Sequence, residues 1–410
     1  MLPKGWKRST LGDCTKLLSG STPSKERQDY WSGEFPWVTV KDMKTPWLLR
    51  TGLTLTQAGK AAASVAPANS ILVVTRGMAL LKDLPISLAM RDVAFNQDIK
   101  AIVPNQGLDA RFLAYQLQSK KHAVLDMVDT AGHGTGKLDT DLLKSVDLVM
   151  PPIPEQRHIA QILSTWDQAI STAERLLANS QRCTRDLMVS MLSGRRRFPG
   201  FTGKWRYVDF DAVFERVTRK NSTQNTNVLT ISAEHGLISQ RDYFNKSVAS
   251  ANLSGYTLLY RYDFAYNKSY STGYPMGAIK PLLDYDAGVV SSLYLCFKLR
   301  DDVDADFDFF RHYFEAGLLN QEIEGVAQEG ARNHGLLNVS VTDFFKLQLH
   351  IPTAPEQRRI AEVINVARAE EARLQAQVQA LRQEKSALMS QLLTGKRRVK
   401  LPEAETEAQA

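Results

Sequence analysis

The stretch PEQRHIAQIL at residues 154–163 occurs a second time, with few changes, as PEQRRIAEVI at residues 355–364. The two copies are 201 residues apart, and the same offset relates LMVSMLSGRRR (187–197) to LMSQLLTGKRR (388–398). The repeat therefore runs without a gap for more than forty residues. Self-similarity of this kind indicates a duplicated structural unit.

Weaker matches extend the duplication upstream. Trp6 in KGWKRSTL corresponds to Trp205 in GKWRYVDF, and RFLAYQL (111–117) resembles DFFRHYF (308–314). The chain thus has the order A–B–A′–B′. B and B′ are similar in sequence, whereas A and A′ share only the order of their predicted elements and a few matched positions.

B and B′ have the features of long helices. Each begins after a proline, with Glu155 or Glu356 in a first turn where a carboxylate suits the positive end of the helix dipole. Each ends at a glycine, Gly194 or Gly395, followed by a basic run, and glycine and cations both suit a helix C-terminus.

The apolar residues of B and B′ repeat with a 3–4 spacing over about five heptads, which is typical of a coiled coil. Glu371 and Lys385 interrupt one seam of B′. Two similar helices with matched seams favour antiparallel packing over the alternative of two unrelated surface helices. From Ile159 to Leu192 such a helix spans on the order of 50 Å. The candidate seam and partner-interface residues are Glu155, Gln156, Arg157, Trp166, Ile170, Leu177, Glu356, Gln357, Arg358, Leu374, Val378 and Leu381.

The A units mix short strands with one helix. The strand-like runs of A are FPWVTVKDM (35–43), NSILVVTRG (69–77) and AFNQDIKAIVP (94–104), followed by a helix over 109–128. Those of A′ are NVLTISAEHG (227–236), YRYDFAYNKSYSTGYPMG (260–277) and VVSSLYLCFKL (289–299), followed by a helix near 306–326. We predict that Tyr260, Tyr262, Phe264 and Tyr266 form the buried face of one strand.

The predicted fold class is α+β, with two pseudo-symmetric α/β domains separated by two long antiparallel helices. A chain of 410 residues exceeds the size of one hydrophobic core, so several domains are expected. The predicted segments are an α/β domain at 1–150, a helical region at 151–200, a second α/β domain at 201–350, a second helical region at 351–400 and a disordered acidic tail at 401–410.

Composition narrows the class of protein. The hydrophobic content of 43% and charged content of 23% are ordinary globular values. The net charge of +7 is compatible with nucleic-acid binding without being diagnostic of it. The three cysteines are far apart and suggest reduced thiols in a cytosolic protein. With neither an export signal nor a long apolar run, we expect no membrane association.

Motifs for catalysis are missing. AGHGTGKL (131–138) resembles a phosphate-binding loop, but Ala131 and Leu138 stand where the motif needs glycine and a hydroxyl. VMPPIPE (149–155) lacks the polar residue that precedes the prolines in a base-flipping methyltransferase motif. The acidic run DDVDADFD (301–308) has no partner lysine for a nuclease, and we read it as a solvated helix start. Histidine spacing gives no zinc motif.

Polar residues in the loops of A and A′ are candidates for DNA contact, because base edges and phosphates are read by amides, cations and hydroxyls. For Asn96 and Gln97 the alternative is a strand-end cap, and for the loop after Tyr266 it is a solvated turn. The candidates in A are Lys41, Arg76, Lys82, Asn96, Gln97, His133, Thr135 and Lys137. Those in A′ are Ser232, His235, Asn267, Lys268, Tyr270, Ser271, Arg332, Asn333 and His334.

Taken in this order and spacing, the motifs resemble the specificity subunits of type I restriction–modification systems. The resemblance rests on the duplicated PEQR and LM…SGRRR-type segments, the LPKGW opening, PWVTVKDM and FNQDIK. It covers essentially the whole chain and implies a non-catalytic subunit. In that family two target-recognition domains each read one half of a bipartite sequence in double-stranded DNA.

The resemblance also implies partners and a location. Two DNA methyltransferase subunits, with the S-adenosylmethionine site, and restriction/translocase subunits, which use ATP and Mg²⁺, are expected to bind this chain. We expect no cofactor in the chain itself and a place in the cytoplasm of a bacterium or archaeon. The PEQR residues then face a partner or serve as caps. The alternative is a standalone DNA-binding or coiled-coil scaffold protein. The recognised sequence and the spacer length stay open.

Overall fold

A computed structural model describes residues 2–130, 134–232, 235–244, 252–271, 273–329 and 337–400. The chain forms two compact units. The first unit comprises Met1–Ala173 and Gln377–Ala410, and the second comprises Glu174–Ala376. The predicted acidic tail at 401–410 lies outside the described residues.

The first unit contains five short helices and the start of a long one. They are Leu11–Cys14 (α1), Gln57–Ala61 (α2), Ala110–Ser119 (α3), Lys121–Leu125 (α4), Thr140–Lys144 (α5) and Ile153–Leu192 (α6), which continues into the second unit. The strands are Lys7–Thr10 (β1), Thr15–Ser19 (β2), Trp31–Val38 (β3), Trp47–Leu48 (β4), Leu53–Leu55 (β5), Val65–Ala66 (β6), Ile71–Val74 (β7), Arg76–Gly77 (β8), Ile86–Ala89 (β9), Val93–Phe95 (β10), Ile99–Pro104 (β11), Val128–Thr130 (β12), Gly136–Leu138 (β13) and Asp147–Met150 (β14).

Small sheets surround one core in the first unit. The strand orders are β2-β11-β7-β9-β4, β5-β3-β10-β6, β12-β13-β8 and β1-β14. The apolar run ILVV of β7 is buried along its whole length, as expected of a strand covered on both faces. Its side chains share a core with α3, with Ile159 and Leu163 of α6, and with Leu392 and Leu393 near the end of the chain.

The second unit repeats the mixture of short strands and helices. Its helices are Phe210–Val213 (α7), Gln240–Phe244 (α8), Phe307–Glu315 (α9), Asn320–Val326 (α10), Val341–Phe345 (α11) and Ala354–Leu392 (α12), the end of which belongs to the first unit. The strands are Arg206–Asp209 (β15), Phe214–Arg216 (β16), Leu229–Ser232 (β17), Gly236–Ser239 (β18), Thr257–Tyr260 (β19), Phe264–Asn267 (β20), Ala278–Pro281 (β21), Ala287–Val290 (β22), Leu295–Leu299 (β23), Gln328–Glu329 (β24), Leu337–Asn338 (β25) and Gln348–Ile351 (β26).

Aromatic rings fill the main core of the second unit, beside the sheet β16-β23-β20-β21. Phe210, Phe214, Phe264 and Phe297 are fully buried, and their ring centroids lie 4.6–6.0 Å apart in the pairs that contact. Edge-to-face and offset contacts at such distances stabilise a core beyond simple area burial. Met188 and Leu192 of α6 and Ile360 and Ile364 of α12 pack on the same core.

Each unit contains an antiparallel strand pair at the corresponding positions of the repeat. In the first unit β1 pairs antiparallel with β14, with Lys7 opposite Met150. In the second β15 pairs antiparallel with β26, with Arg206 opposite Ile351. β14 leads directly into α6, and β26 leads directly into α12. The alternating apolar and polar runs before the PEQR segments predict these strands.

Within each unit the two long helices run antiparallel. In the first unit Glu155 binds Arg398 and Asp167 binds Lys385, so numbers rise on α6 as they fall on α12. In the second unit Arg197, beyond the end of α6, binds Glu356 at the start of α12. Gly194 and Gly395 both have φ +74°, the left-handed conformation expected just beyond a helix end. The predicted α+β class and the antiparallel helices are confirmed.

Several runs predicted as single elements are divided by turns. Tyr260 and Tyr262 are exposed, so the prediction that they belong to one buried strand face is wrong; only Phe264 and Tyr266 are buried. The Asp263 carboxylate accepts a hydrogen bond from the Tyr260 amide at 2.8 Å, and Tyr262 has φ +77°, which ends β19 and starts a new strand. The helix expected over 109–128 is likewise interrupted at Lys120 and gives way to β12 at Val128.

Candidate nucleic-acid interface

A cavity of about 460 Å³ in the first unit brings together candidates that are distant in sequence. Arg76 of β8, Gln97 of the β10–β11 turn and Lys137 of β13 all line it. Lys100 of β11, which was not among the predicted candidates, lies in the same wall. Arg76 and Lys137 are directly opposite each other on paired strands, so their side chains share one sheet face.

The turn that carries Gln97 is tightly fixed. The Asn96 side chain is buried, and its Nδ2 donates to Asp98 Oδ2 at 3.0 Å. Gln97 is exposed, and its Oε1 accepts from the Thr22 hydroxyl at 2.5 Å. Gly20 lies directly beneath the turn, where any Cβ would overlap the Asn96 carbonyl. Gln97 is therefore presented at the cavity, whereas Asn96 is turned inward.

The other candidates of the first unit lie apart from this cavity. Lys41 and Lys82 are exposed but do not line it. Thr135 is half-buried in the loop just before β13. His133 lies outside the described residues.

The candidates after β20 in the second unit are partly engaged in the fold. Lys268 Nζ donates to the Val339 carbonyl at 2.7 Å, and burial, with a contribution from the nearby Arg216, lowers the pKa of Lys268. Asn267 Oδ1 accepts from the Ser269 amide at 3.1 Å. Tyr270, by contrast, is 63% exposed and available to a ligand. Ser271 forms an isolated β-bridge with Tyr274.

The β17–β18 hairpin carries the remaining described candidates. Ser232 Oγ accepts from the His235 amide at 3.2 Å, which ties the ends of the hairpin turn together. His235 also lines a cavity of about 350 Å³. In its wall Lys280 donates to Glu315 at 2.5 Å, so charge there is partly neutralised. Arg332, Asn333 and His334 lie outside the described residues.

Gly136 and Lys137, in the described part of the glycine-rich segment, lie in β13, which pairs antiparallel with β12. A P-loop lysine instead sits where a glycine-rich loop opens into a helix, so this geometry excludes a phosphate-binding loop of that type. In the second unit β24 and β25 flank residues 330–336 in the same way.

The glutamate and glutamine at each helix start are buried within their own units. Gln156 Oε1 accepts from the Asp109 amide at 2.8 Å, and Gln357 Oε1 accepts from the Asp306 amide at 3.0 Å. The two aspartates cap α3 and α9, so each glutamine fixes a short helix onto the start of a long one.

Glu155 and Glu356 are each only 1% exposed. Glu155 accepts from Trp6 Nε1 at 3.0 Å and from Arg398 Nη2 at 2.7 Å. Glu356 accepts two bonds from Arg197, at 2.8 and 2.7 Å. These carboxylates hold together segments of the chain that are far apart in sequence.

Other helix residues differ in exposure. Arg157 and Arg358 are exposed, and Arg358 Nη1 donates to Asp304 at 2.8 Å. Leu374 and Val378 are buried, whereas the remaining candidates are half-buried: Trp166, Ile170, Leu177 and Leu381. The charged interruptions of the seam are also sheltered, because Lys385 Nζ donates to Asp167 Oδ1 at 2.5 Å and Glu371 is 9% exposed.

No metal or membrane site is found in the described part of the chain. No group of three or more His, Cys, Asp and Glu residues there is arranged to hold a metal ion. None of the helices described is long and apolar enough to cross a membrane.

Part of the chain is similar in sequence to known proteins. Residues 3–179 match the family model of the type I restriction modification DNA specificity domain. The Escherichia coli type I restriction enzyme EcoR124I/EcoR124II specificity subunit is 31% identical over 165 residues, which are 40% of each chain. The Methanocaldococcus jannaschii MjaIX specificity subunit is 28% identical over 183 residues, 42% of this chain and 40% of that one. The matched segments therefore span about 40% of these relatives.

Two solved structures share the fold over nearly the whole chain. The S subunit of a type I restriction–modification system from M. genitalium aligns with a TM-score of 0.58 at 13% identity, covering 95% of this chain and 96% of that one. A chain from a study of type I system assembly and conformational transition aligns with a TM-score of 0.58 at 15% identity, covering 96% and 99%. The α+β fold is thus shared with these two chains. The sequence match to the specificity-domain family covers residues 3–179.

Proposed function

We propose that this protein is the non-catalytic DNA-recognition subunit of a type I restriction–modification enzyme, in which each α/β domain reads one half of a bipartite target. The proposal is supported by the same arrangement of strands and helices in both units, combined with different residues in the loops. Each unit has the strand pair before a long helix, the capped short helix and a two-stranded hairpin. The side chains near these strand pairs differ: Arg76 lines a cavity in one unit, whereas Lys268 donates to a backbone carbonyl in the other. Two readers of different half-sites need this combination.

Energetics favours two readers over one. A correct base pair contributes roughly 1–3 kcal/mol of discrimination, so a half-site of a few base pairs is common in any genome. Joining two half-sites at a fixed separation selects a rare sequence without a larger domain. We propose residues 1–150 and 201–350 as the target-recognition domains, and residues 151–200 and 351–400 as the helical regions that set the spacer.

The catalytic chemistry is assigned to partners. We propose that two methyltransferase subunits carry S-adenosylmethionine and that restriction/translocase subunits carry ATP and Mg²⁺. The exposed Arg157 and Arg358, near the helix starts, are proposed partner contacts. Because the substrate is duplex DNA, we place the assembly in the cytoplasm of a bacterium or archaeon.

A domain exchange tests the function. Residues 1–150 are replaced by the corresponding domain of another specificity subunit, and the methylated sites of cells that carry the chain with its methyltransferase are mapped by methylome sequencing. One half-site is expected to change while the other half-site is retained. The unexchanged chain is the control. A chain that directs no sequence-selective methylation, or an exchange that alters both half-sites, contradicts the proposal and favours a scaffold role.

A further inference from the structure

Three cations line the cavity of the first unit without a carboxylate partner among the described residues. Arg76 and Lys137 are directly opposite each other on β8 and β13. Like charges at directly opposite positions of a sheet are destabilising. Asp129 is directly opposite Lys137 on the other neighbouring strand, β12, and offsets part of this repulsion. Across these three strands two cations still meet one carboxylate.

Lys100 adds a third positive charge from β11. Its Nζ donates to the Ser19 hydroxyl at 2.6 Å, and a hydroxyl orients the ammonium group without neutralising it. Asp139 also lines the cavity, but its Oδ1 accepts from the backbone amides of Asp141 at 2.7 Å and Leu142 at 3.3 Å. That carboxylate is committed to capping α5. One negative charge thus faces three positive ones.

We propose that this cavity is a binding site for a backbone phosphate of DNA, held by Arg76, Lys100 and Lys137. Arginine forks and lysine ammonium groups are the usual ligands of phosphate oxygens. The proposal rests on the proposed function and deepens it, because it assigns these three side chains to positioning the duplex and not to reading its sequence.

The second unit lacks the same arrangement in its described part. Beside the strand pair β24–β25, the Lys268 ammonium group is turned inward and donates to the Val339 carbonyl at 2.7 Å, while the Lys268 carbonyl accepts from the Leu337 amide at 3.0 Å. The two units are therefore expected to hold the DNA backbone differently.

Salt-dependent binding of the full chain to a mixed-sequence duplex tests the proposal, because phosphate contacts do not depend on sequence. Fluorescence anisotropy gives the slope of log K against log salt for the wild type, Arg76→Gln, Lys100→Gln, Lys137→Gln and the triple variant. One phosphate contact contributes about 0.9 to the slope, so the triple variant is expected to lose about 0.9 and each single variant less. Lys16→Gln is the matched control, since Lys16 is exposed at the other end of the strand that carries Ser19 and should leave the slope unchanged. Circular dichroism and melting temperature verify folding.

Each other result has a defined meaning. A triple variant with the wild-type slope, or a Lys16→Gln slope that falls as far as that of Lys137→Gln, overturns the phosphate site while the proposed function stands. A methylome in which Arg76→Gln changes the half-site makes Arg76 a base reader and also overturns it. Thermal stabilisation by inorganic phosphate that the triple variant loses, without a change in DNA slope, indicates a free-phosphate site instead. A wild type that binds no DNA contradicts the proposed function itself.

Discussion

The two equivalent tryptophans differ in one hydrogen bond. Trp6 Nε1 donates to Glu155, whereas Trp205 Nε1 is buried and has no hydrogen-bond partner among the described residues. Both carboxylate oxygens of Glu356 are taken by Arg197. The repeat thus preserves the residue types, while the bonds between them follow the local packing.

Replacing each tryptophan by phenylalanine separates this bond from packing. Trp6→Phe loses a buried bond to a charged group, which is worth about 1.5–3 kcal/mol, in addition to ring area. Trp205→Phe loses ring area alone and is the matched control. We expect the free energy of unfolding, from urea titration, to fall further for Trp6→Phe. Equal losses would show that the Trp6–Glu155 bond contributes nothing net.

His312 of α9 is buried in the second unit. Burial lowers the pKa of His312, and Nε2 donates to Asn365 Oδ1 at 2.6 Å. Arg311, the preceding residue of α9, donates from Nη2 to the same Asn365 oxygen at 2.8 Å. A folded pKa below the unfolded value of 6.5 means that the unfolded chain takes up the proton first.

Stability from His312 is therefore complete above pH 6.5 and is lost as the pH falls below that value. We expect the melting temperature to drop between about pH 7.5 and about pH 5.5, and the drop to be smaller in His312→Gln. His122→Gln, at an exposed site of the first unit, controls for the loss of a histidine. A drop of equal size in wild type and His312→Gln would assign the acid sensitivity to other groups.

At the scale of elements, charged residues in the helical seam are paired within the first unit. Lys385 binds Asp167, which also accepts from the Tyr115 hydroxyl at 2.6 Å. Burial, and next the bond to Asp167, raise the pKa of Tyr115, so the hydroxyl stays protonated and donates. Lys385 can be accommodated in the helical seam because the Asp167 carboxylate pairs with its ammonium group.

Removing the charge of Lys385 alone should reduce the free energy of unfolding more than removing the charges of both Lys385 and Asp167. Lys385→Met leaves Asp167 without its cation and is expected to reduce the free energy of unfolding by about 1–2 kcal/mol. Adding Asp167→Asn removes the uncompensated charge yet keeps an acceptor for Tyr115. The double variant should therefore be more stable than Lys385→Met, as measured by urea titration. A purely additive double-variant cycle would show that the pair is not coupled.

At the scale of the whole molecule, the boundary between the units falls within both long helices, after Ala173 and after Ala376. If these helices set the separation of the half-sites, their length determines the DNA spacer. Inserting seven residues near Ser171 and seven near Ala372 lengthens each helix by about 10 Å while keeping the seam in register. Base pairs are about 3.4 Å apart, so the spacer is expected to grow by about three.

Methylome sequencing checks this expectation. The recognised half-sites should stay as they are in the wild type, and only the number of unread base pairs between them should change. A helix-preserving substitution at Ser171 without an insertion is the control. Altered half-sites with a constant spacer would refute the role of the helices as a ruler.

Much of the architecture could be predicted from local patterns. The long helices, the glycines at their ends and the alternating strands before them depend on periodicity and capping, which operate over a few residues. The prediction was wrong at Tyr260 and Tyr262, because the Asp263 turn that divides the run is fixed by a single side-chain bond. Periodicity cannot reveal such a bond.

The candidate site was only partly accessible to sequence reasoning. Arg76, Gln97 and Lys137 could be selected as polar residues in loops, but nothing in the sequence placed them beside Lys100. Nor could it show that Asn96 and Lys268 are turned into the fold while Tyr270 is exposed. Exposure at a loop depends on packing from several elements and is not a local property.

The duplication, the helical seams and the resemblance to specificity subunits could be recognised from the amino-acid sequence, because each depends on residue types at fixed spacings. Which distant groups meet depends on the folded chain. Arg398 closes on Glu155, Arg197 closes on Glu356, and three cations gather at one cavity. The physical reason is that antiparallel helices and sheet pairing bring together residues far apart in the chain, and contacts of that range leave no periodic signal.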